Sequence, residues 1–172
     1  MNSVAPSKEK HRMTVHDRFA AHEFINRYWL TYDEGHLDVL EGFLTEDCHV
    51  RSHTETGEHP FEEFIRSDNQ GREATMAWTK EHRKHSPYPL RHHAANIFVV
   101  AERGDEIDLE SYLFVTQIIE RKPSTLSSGI VRWTLKLTDD GYRVHRKDVI
   151  LDSIASAPFQ DVDFVSDRQK TW

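Results

Sequence analysis

Four long segments rich in β-branched and aromatic residues follow one another in the second half of the chain. They cover residues 91–101, 110–120, 128–138 and 142–151. Turn-forming dipeptides separate them: Gly104-Asp105, Lys122-Pro123 and Asp140-Gly141. Asp-Gly between two such runs is a strong hairpin signal. The pattern predicts an antiparallel sheet in which each strand is joined to the next by a short turn.

The first half of the chain has helical spacing instead. From Thr14 onward, apolar residues recur at intervals of four, three and four, namely Ala21, Ile25, Tyr28 and Tyr32. Shorter helices are expected after Gly35, after Pro60 and over about residues 71–84. The last of these is expected to turn three residues inward: Ala74, Ala77 and Trp78. A short strand is expected over residues 48–53.

Helices followed by strands indicate an α+β fold, in which a curved antiparallel sheet wraps around the N-terminal helices and leaves a cavity between them. A length of 172 residues fits a single domain. We expect that domain to span residues 14–155. Residues 1–13 are expected to be a disordered leader, and residues 156–172 a C-terminal tail.

Composition limits the kinds of partner. A net charge of −7 argues against a nucleic-acid backbone as the main ligand, because that role needs a surplus of Lys and Arg. Cys48 is the only cysteine, so no internal disulfide is expected, and a reducing, cytoplasmic location is favoured. No run approaches the ~18 apolar residues that span a bilayer, so no membrane partner is expected.

Two polar side chains stand out on the segment that follows Pro89. Strict alternation places His92 and Asn96 on one face of an otherwise apolar strand. Asp33, at the end of the first helix, is a candidate partner for His92. Periodicity alone favours a core histidine bonded to a backbone carbonyl over a functional one. It also allows Asp33 to be a surface aspartate at a helix end.

A metal site is not expected. His82 and His85 lie one helical turn apart, but no carboxylate follows at ligand spacing on that helix face. We therefore expect neither a metal nor another cofactor.

Four segments of the chain resemble SnoaL-like and scytalone dehydratase-like proteins of the nuclear transport factor 2-like superfamily. The segments are residues 32–44 (YDEGHLDVLEGFL), 71–74 (GREA), 91–96 (RHHAAN) and 140–143 (DGYR). Each is short, but their order and spacing agree over residues 15–152. The resemblance implies a cone-shaped α+β barrel with one internal pocket.

The same resemblance implies a catalytic set within that pocket. Asp33 would orient His92, His92 would remove a proton next to a carbonyl, and Tyr32 would donate a hydrogen bond to the enolate oxygen. Asn96 would position the substrate or fix the orientation of the imidazole. Arg132 would anchor an anionic substrate. The remaining candidates for polar groups of the pocket are Ser111, Tyr112 and Ser128. All three stay open, because alternation does not decide which side chains face inward.

The implied function is that of a small cofactor-independent lyase or isomerase, dehydratase- or cyclase-like, acting on a hydrophobic cyclic, aromatic or polyketide-like substrate. Two alternatives stay open, since one scaffold serves many chemistries. The chain also resembles the non-catalytic beta subunits of ring-hydroxylating dioxygenases, which would make an alpha subunit its partner. A ligand-binding protein of the same fold is the other.

The predicted strands are apolar on both faces, so the face outside the pocket needs cover. If the other parity lines the pocket, six residues are left for that face: Ile97, Val99, Leu113, Val115, Val131 and Trp133. A homodimer or homotrimer is expected.

Overall fold

A computed structural model describes residues 16–161 of the chain. The helices are α1 (Arg18–Asp33), α2 (Leu37–Glu41), α3 (Glu62–Ile65) and α4 (Arg72–His85). The strands are β1 (Leu44–Thr54), β2 (Ser67–Gln70), β3 (Leu90–Arg103), β4 (Glu106–Ile119), β5 (Lys122–Thr138) and β6 (Gly141–Leu151). The predicted α+β class is confirmed. The predicted leader, Thr14 and most of the predicted tail lie outside the described residues, and the boundaries at 14 and 155 stay predictions.

The strands form one six-stranded, curved and unclosed sheet in the order β2-β1-β6-β5-β4-β3. All neighbouring strands are antiparallel except β1 and β6, which run parallel. The predicted antiparallel order of the four long segments is confirmed in β3 to β6, whereas the parallel contact of β1 with β6 was not predicted. Strand β1 comes from the helical half of the chain, and the long connection between it and β6 allows the parallel arrangement. Strand β2, which is short and polar, was not predicted.

Helix α1 supplies much of the core. It begins after Asp17, whose Oδ1 accepts a hydrogen bond from the backbone N–H of Ala20 at 3.1 Å. Its buried aromatic residues pack against Trp133 of β5, with ring centroids 5.3 Å from Tyr28 and 5.7 Å from Trp29. No helix among residues 16–161 is long and apolar enough to cross a membrane.

The predicted inner face of α4 is wrong at two of its three positions. Ala74 and Ala77 are exposed and Trp78 is half-buried, whereas the buried residues are Thr75, Met76, Thr79 and Arg83. The guanidinium of Arg83 donates to the backbone carbonyls of Tyr32 at 3.2 Å and Asp33 at 2.7 Å. An apolar pattern does not reveal a face that buries an arginine in this way.

A bulge at Asn96 changes which side chains of β3 face inward. Its φ is 50°, in the left-handed region that Asn tolerates, and the register with β4 shifts between Ala95 and Phe98. Before the bulge His92 faces inward, and after it Phe98 is exposed while Ile97 packs against the core. Strict alternation along β3 was therefore a wrong assumption.

The parity left open by the sequence is settled, because the six residues that one parity would have placed on the outer face lie on the inner face. Leu113, Val115, Val131 and Trp133 are buried, and Ile97 and Val99 pack against the core. The exposed large hydrophobic residues of β3 and β4 are instead Phe98, Val100, Tyr112, Phe114, Ile118 and Ile119. The turn between β4 and β5 also differs, since Glu120 and Arg121 have positive φ and Lys122-Pro123 lies within β5.

Candidate functional site

A cavity of about 240 Å³ lies between α1, α3 and α4 and the inner face of the sheet. Its walls are mainly aromatic and aliphatic, and include Tyr28, Trp29, Phe64, Ile65, Trp78 and Leu113. Such a wall with a few polar groups is typical of small-molecule sites, although the volume is below the usual ~300–1,000 Å³. A larger cleft of about 630 Å³ beside β1 and β2 has many charged lining residues, but does not include the histidines described next.

Asp33 and His92 are in contact at the wall of the cavity. Oδ1 of Asp33 lies 2.5 Å from Nδ1 of His92, and Oδ2 accepts the backbone N–H of the same residue at 2.8 Å. Both carboxylate oxygens are thus occupied by one residue of the edge strand β3. The imidazole also stacks on Trp29, with centroids 4.4 Å apart and planes 6° from parallel. These contacts fix the position of the ring and its rotation.

The Asp33 contact determines the protonation of His92. An ionised carboxylate only accepts hydrogen bonds, so Nδ1 carries a proton and Nε2 is the basic nitrogen. Burial lowers the pKa of His92, and the hydrogen bond from its ring to Asp33 opposes that effect without reversing it. The imidazole is therefore neutral at pH 7 and able to take up a proton.

Tyr32 lines the cavity and contacts a second histidine. Its hydroxyl lies 2.7 Å from Nδ1 of His82 on α4, and burial raises the pKa of Tyr32 to about 12. Burial also lowers the pKa of His82 to about 4. Nε2 of His82 is buried and has no hydrogen-bond partner within the described residues. This neutral pair leaves one polar atom without a protein partner at the cavity.

Lys147 on β6 is a third polar group of the cavity. Its Nζ donates to the hydroxyl of Tyr28 at 2.6 Å and lies 4.4 Å from the centroid of that ring. Burial lowers the pKa of Lys147 to about 7. A bulge in β6, where the register with β5 shifts between Val144 and Arg146, turns this side chain inward.

None of the five predicted substrate-binding residues lines the cavity. Asn96 is exposed at the bulge, and Tyr112 is 54% exposed on the outer face. Arg132 is on the outer face too, with Nε 3.3 Å from a carboxylate oxygen of Glu110. Ser128 donates to Asp152 at 2.6 Å, and the neighbouring Ser127 lines the cavity instead.

Ser111 faces inward but belongs to the core. It is 1% exposed, and its Oγ accepts a hydrogen bond from Trp133 Nε1 at 3.3 Å. Inward parity on β4 belongs to the odd-numbered residues, and their partners on β5 follow the same parity. This parity places Arg132 and Tyr112 outside together.

Sequence reasoning missed His82 and Lys147 as cavity residues. Lys147 precedes Val149 and Leu151 with period-two spacing, and both of those residues line the cavity. That spacing was a usable signal for Lys147. His82 follows Trp78 by four residues on the same helix face, so the inward assignment of Trp78 was a usable signal for it as well.

Acid is expected to destabilise the fold through His82. Its folded-state pKa of about 4 lies below the unfolded value of 6.5, so the unfolded chain binds more protons between these values. Stability should be fully present above pH 6.5 and fall as the pH approaches 4, by up to ~3 kcal/mol from this residue. Urea unfolding of the His82→Leu variant should show a smaller fall in stability between pH 6.5 and pH 4 than the wild-type protein. His85→Leu, an exposed position one turn away, should keep the wild-type slope.

The chain shares its fold with several solved structures. An NTF2-like protein with a cystatin-like fold from Novosphingobium aromaticivorans is 23% identical, with a TM-score of 0.65 and coverage of 86% of this chain and 90% of that one. A second protein from the same organism is provisionally assigned as the beta subunit of an aromatic-ring-hydroxylating dioxygenase. It is 16% identical, with a TM-score of 0.66 and coverage of 81% of this chain and 92% of that one. A protein provisionally assigned as a scytalone dehydratase from that organism is 20% identical, with a TM-score of 0.62 and coverage of 84% and 94%.

At these identities the likeness shows the fold alone. No curated protein matches the sequence. The sequence profile of the SnoaL-like domain, however, matches residues 13–148. That match covers well over half of the 172 residues, and the chain belongs to the SnoaL-like domain family.

Proposed function

We propose that this protein is a cofactor-independent lyase or isomerase that acts on a hydrophobic cyclic or polyketide-like substrate. The observation that carries the proposal is the 2.5 Å contact between Asp33 and His92 at the wall of an apolar cavity. A neutral histidine held by a carboxylate is suited to general base catalysis near pH 7. The fold likeness to a protein assigned as a scytalone dehydratase is consistent with this class.

In the proposed reaction, Nε2 of His92 removes a proton from the carbon next to a carbonyl group. The C–H bond breaks, and its electrons move to the carbonyl oxygen as an enolate. The imidazolium that forms is stabilised by Asp33, through the proton on Nδ1. Collapse of the enolate then expels a β-hydroxyl group, which takes the proton back from Nε2 and leaves as water. Return of the proton to another carbon would instead give an isomerisation.

The enolate oxygen needs a hydrogen-bond donor, and we assign this role to Tyr32 together with His82. If the hydroxyl of Tyr32 donates to Nδ1 of His82, the proton of His82 is on Nε2, the buried atom without a partner in the described chain. If His82 donates instead, the Tyr32 hydroxyl is available to the oxyanion. In both arrangements one preorganised neutral donor remains for the substrate.

Solvent exchange tests the proposal before the natural substrate is known. Cyclic β-hydroxy ketones are incubated with the protein in D₂O, and NMR follows deuterium at the carbon next to the carbonyl while absorbance follows the enone product. Exchange or elimination above the buffer rate, lost in His92→Gln, is the expected result. Rates equal to buffer across the panel would argue against the enzymatic function and favour a ligand-binding role.

A second candidate function is that of a non-catalytic subunit of an aromatic-ring-hydroxylating dioxygenase. It is supported by the fold likeness to the beta subunit from Novosphingobium aromaticivorans and by the exposed apolar side chains of the outer sheet face, including Tyr112 and Phe114. The buried polar groups of the cavity favour the first candidate, since such groups are costly without partners and a bound substrate would provide them. An alpha subunit partner is therefore the weaker proposal.

Self-association through the outer sheet face is expected. Tyr112 and Phe114 are 54% and 43% exposed on neighbouring positions of one face, and a second copy of the chain would cover them. Light scattering of the purified protein should give two or three times 20.2 kDa. The double variant Tyr112→Arg/Phe114→Arg should give a monomer, whereas Phe19→Arg, 79% exposed on α1, should not change the mass. A monomeric wild-type protein at micromolar concentration would contradict this.

A further inference from the structure

Lys147 is a buried cation that lacks an anionic partner. No carboxylate oxygen of the described residues lies within the 4.0 Å ion-pair distance of its Nζ, and its one hydrogen bond to a side chain goes to Tyr28. An ammonium has three donors, so two remain. Buried charges in proteins are normally paired, because an unpaired one is costly.

Aromatic rings surround the amine and compensate for only part of this cost. Nζ lies 4.4 Å from the centroid of Tyr28, 5.0 Å from that of Trp29 and 5.9 Å from that of Trp133. Such cation–π contacts stabilise an ammonium. Burial nevertheless lowers the pKa of Lys147 to about 7, so the rings do not replace the lost hydration. The ammonium form therefore keeps a cost of burial that an anionic group would offset.

A ligand bound in the cavity could provide the missing partner of Lys147. Lys147 lines the same cavity as His92, and so does Trp29, whose indole Nε1 is buried without a hydrogen-bond partner in the described part of the chain. A cation and an unpartnered N–H donor therefore border a small cavity with flat aromatic walls. Arg132, which the sequence suggested as the anion anchor, lies on the opposite face of the sheet.

We propose that the cavity binds a compact planar aromatic anion, with its carboxylate or phenolate oxygen on Lys147 and its ring against the aromatic walls. The ligand would provide the negative charge that the fold omits, while Trp29 Nε1 gives a second donor. The volume of about 240 Å³ favours one or two fused rings. The proposal does not depend on the reaction proposed for His92, because it concerns binding alone.

Binding of a matched pair of probes tests this. The carboxylate probe is 2-naphthoate, and 2-acetylnaphthalene is its neutral counterpart of similar shape. Calorimetry at pH 6.5 is expected to show at least ~10-fold tighter binding of naphthoate to the wild-type protein. Lys147→Met should remove this preference and retain the neutral probe. Lys136→Met, which changes a partly exposed lysine near Asp105, should keep the preference.

Proton uptake gives a second, independent readout. Naphthoate stays ionised from pH 6 to 9, whereas free Lys147 has a pKa of about 7 and faces the neutral groups Tyr28, Cys48, His82 and His92. An anion on Nζ raises that pKa, so binding at pH 8 should take up close to ~1 proton, measured in buffers of different ionisation enthalpy.

Three results would overturn the proposal: equal affinity for the two probes, a preference that survives in Lys147→Met, or no binding of naphthoate at millimolar concentration. If Lys147→Met fails to fold, Lys147→Gln is used, since it removes the charge and retains a donor for Tyr28. The assay requires no turnover. A protein that binds naphthoate as described but shows no solvent exchange would fail the proposed reaction and keep this site.

Discussion

Turnover is expected to fall by ~10²–10⁴ when His92 is replaced by glutamine, while the fold is retained. Glutamine is polar and of similar length, but it cannot take up a proton. A purely structural histidine would behave differently: its replacement would lower the melting temperature through a lost buried hydrogen bond worth ~1 kcal/mol and leave the activity of folded protein unchanged. The measurement is kcat on the best substrate of the β-hydroxy ketone panel, with thermal unfolding alongside.

Asp33→Asn is expected to act in the same direction and to add little in the double variant. The carboxylate and the imidazole work as one unit if Asp33 stabilises the imidazolium, so the losses should not add. His93→Gln is the matched control, since His93 is the exposed neighbour on β3 with Nε2 3.1 Å from the hydroxyl of Thr116. Full additivity of the Asp33 and His92 losses would exclude a shared mechanism.

Lys147→Met is expected to stabilise the unliganded protein at pH 7 by ~2–4 kcal/mol. The pKa of Lys147 falls from 10.5 in the unfolded chain to about 7 in the folded one, which corresponds to ~4 kcal/mol of unfavourable burial at or below pH 7. Methionine avoids that cost, although the hydroxyl of Tyr28 loses its partner at ~1 kcal/mol. Urea unfolding measures the difference.

The sign of the pH dependence makes this prediction specific. Between pH 7 and 10.5 the unfolded chain holds a proton on Lys147 that the folded chain has lost, so wild-type stability rises with pH over this range relative to the variant. The advantage of Lys147→Met should therefore shrink toward pH 10. Lys136→Met, whose amine is 3.5 Å from Asp105 at the surface, should change stability little at either pH. A variant less stable than wild type at pH 7 would show that the amine stabilises the fold.

The fold was largely predictable because its signals are local. Runs of β-forming residues separated by turn dipeptides such as Asp140-Gly141 predict the strands, and the apolar stripe from Ala21 to Tyr32 predicts α1. The parallel contact between β1 and β6 was not predictable, since it joins segments about a hundred residues apart and no local pattern reports such a pairing.

The site was predictable only for one pair of residues. The positions of Asp33 and His92 in the sequence, and then the resemblance, suggested that they are partners. The two side chains lie in contact, while their catalytic role stays a prediction. On β4 and β5 the sequence did not decide which side chains face inward, and on β3 the assumed alternation failed for a physical reason. One extra residue at a bulge reverses the inward and outward positions along the rest of the strand. No sequence pattern predicts a bulge at Asn96 or at His145.

The bulge in β6 has a consequence for how this cavity could change over evolutionary time. Deleting His145, the residue at that irregularity, would restore strict alternation and exchange the faces of every following side chain in the strand. Lys147 would move to the surface and Asp148 would take a place toward the interior. A single codon lost or gained thus inverts the charge offered to a ligand without any substitution in the cavity. Insertions and deletions, rather than point changes, are then an efficient route by which this scaffold acquires new specificities.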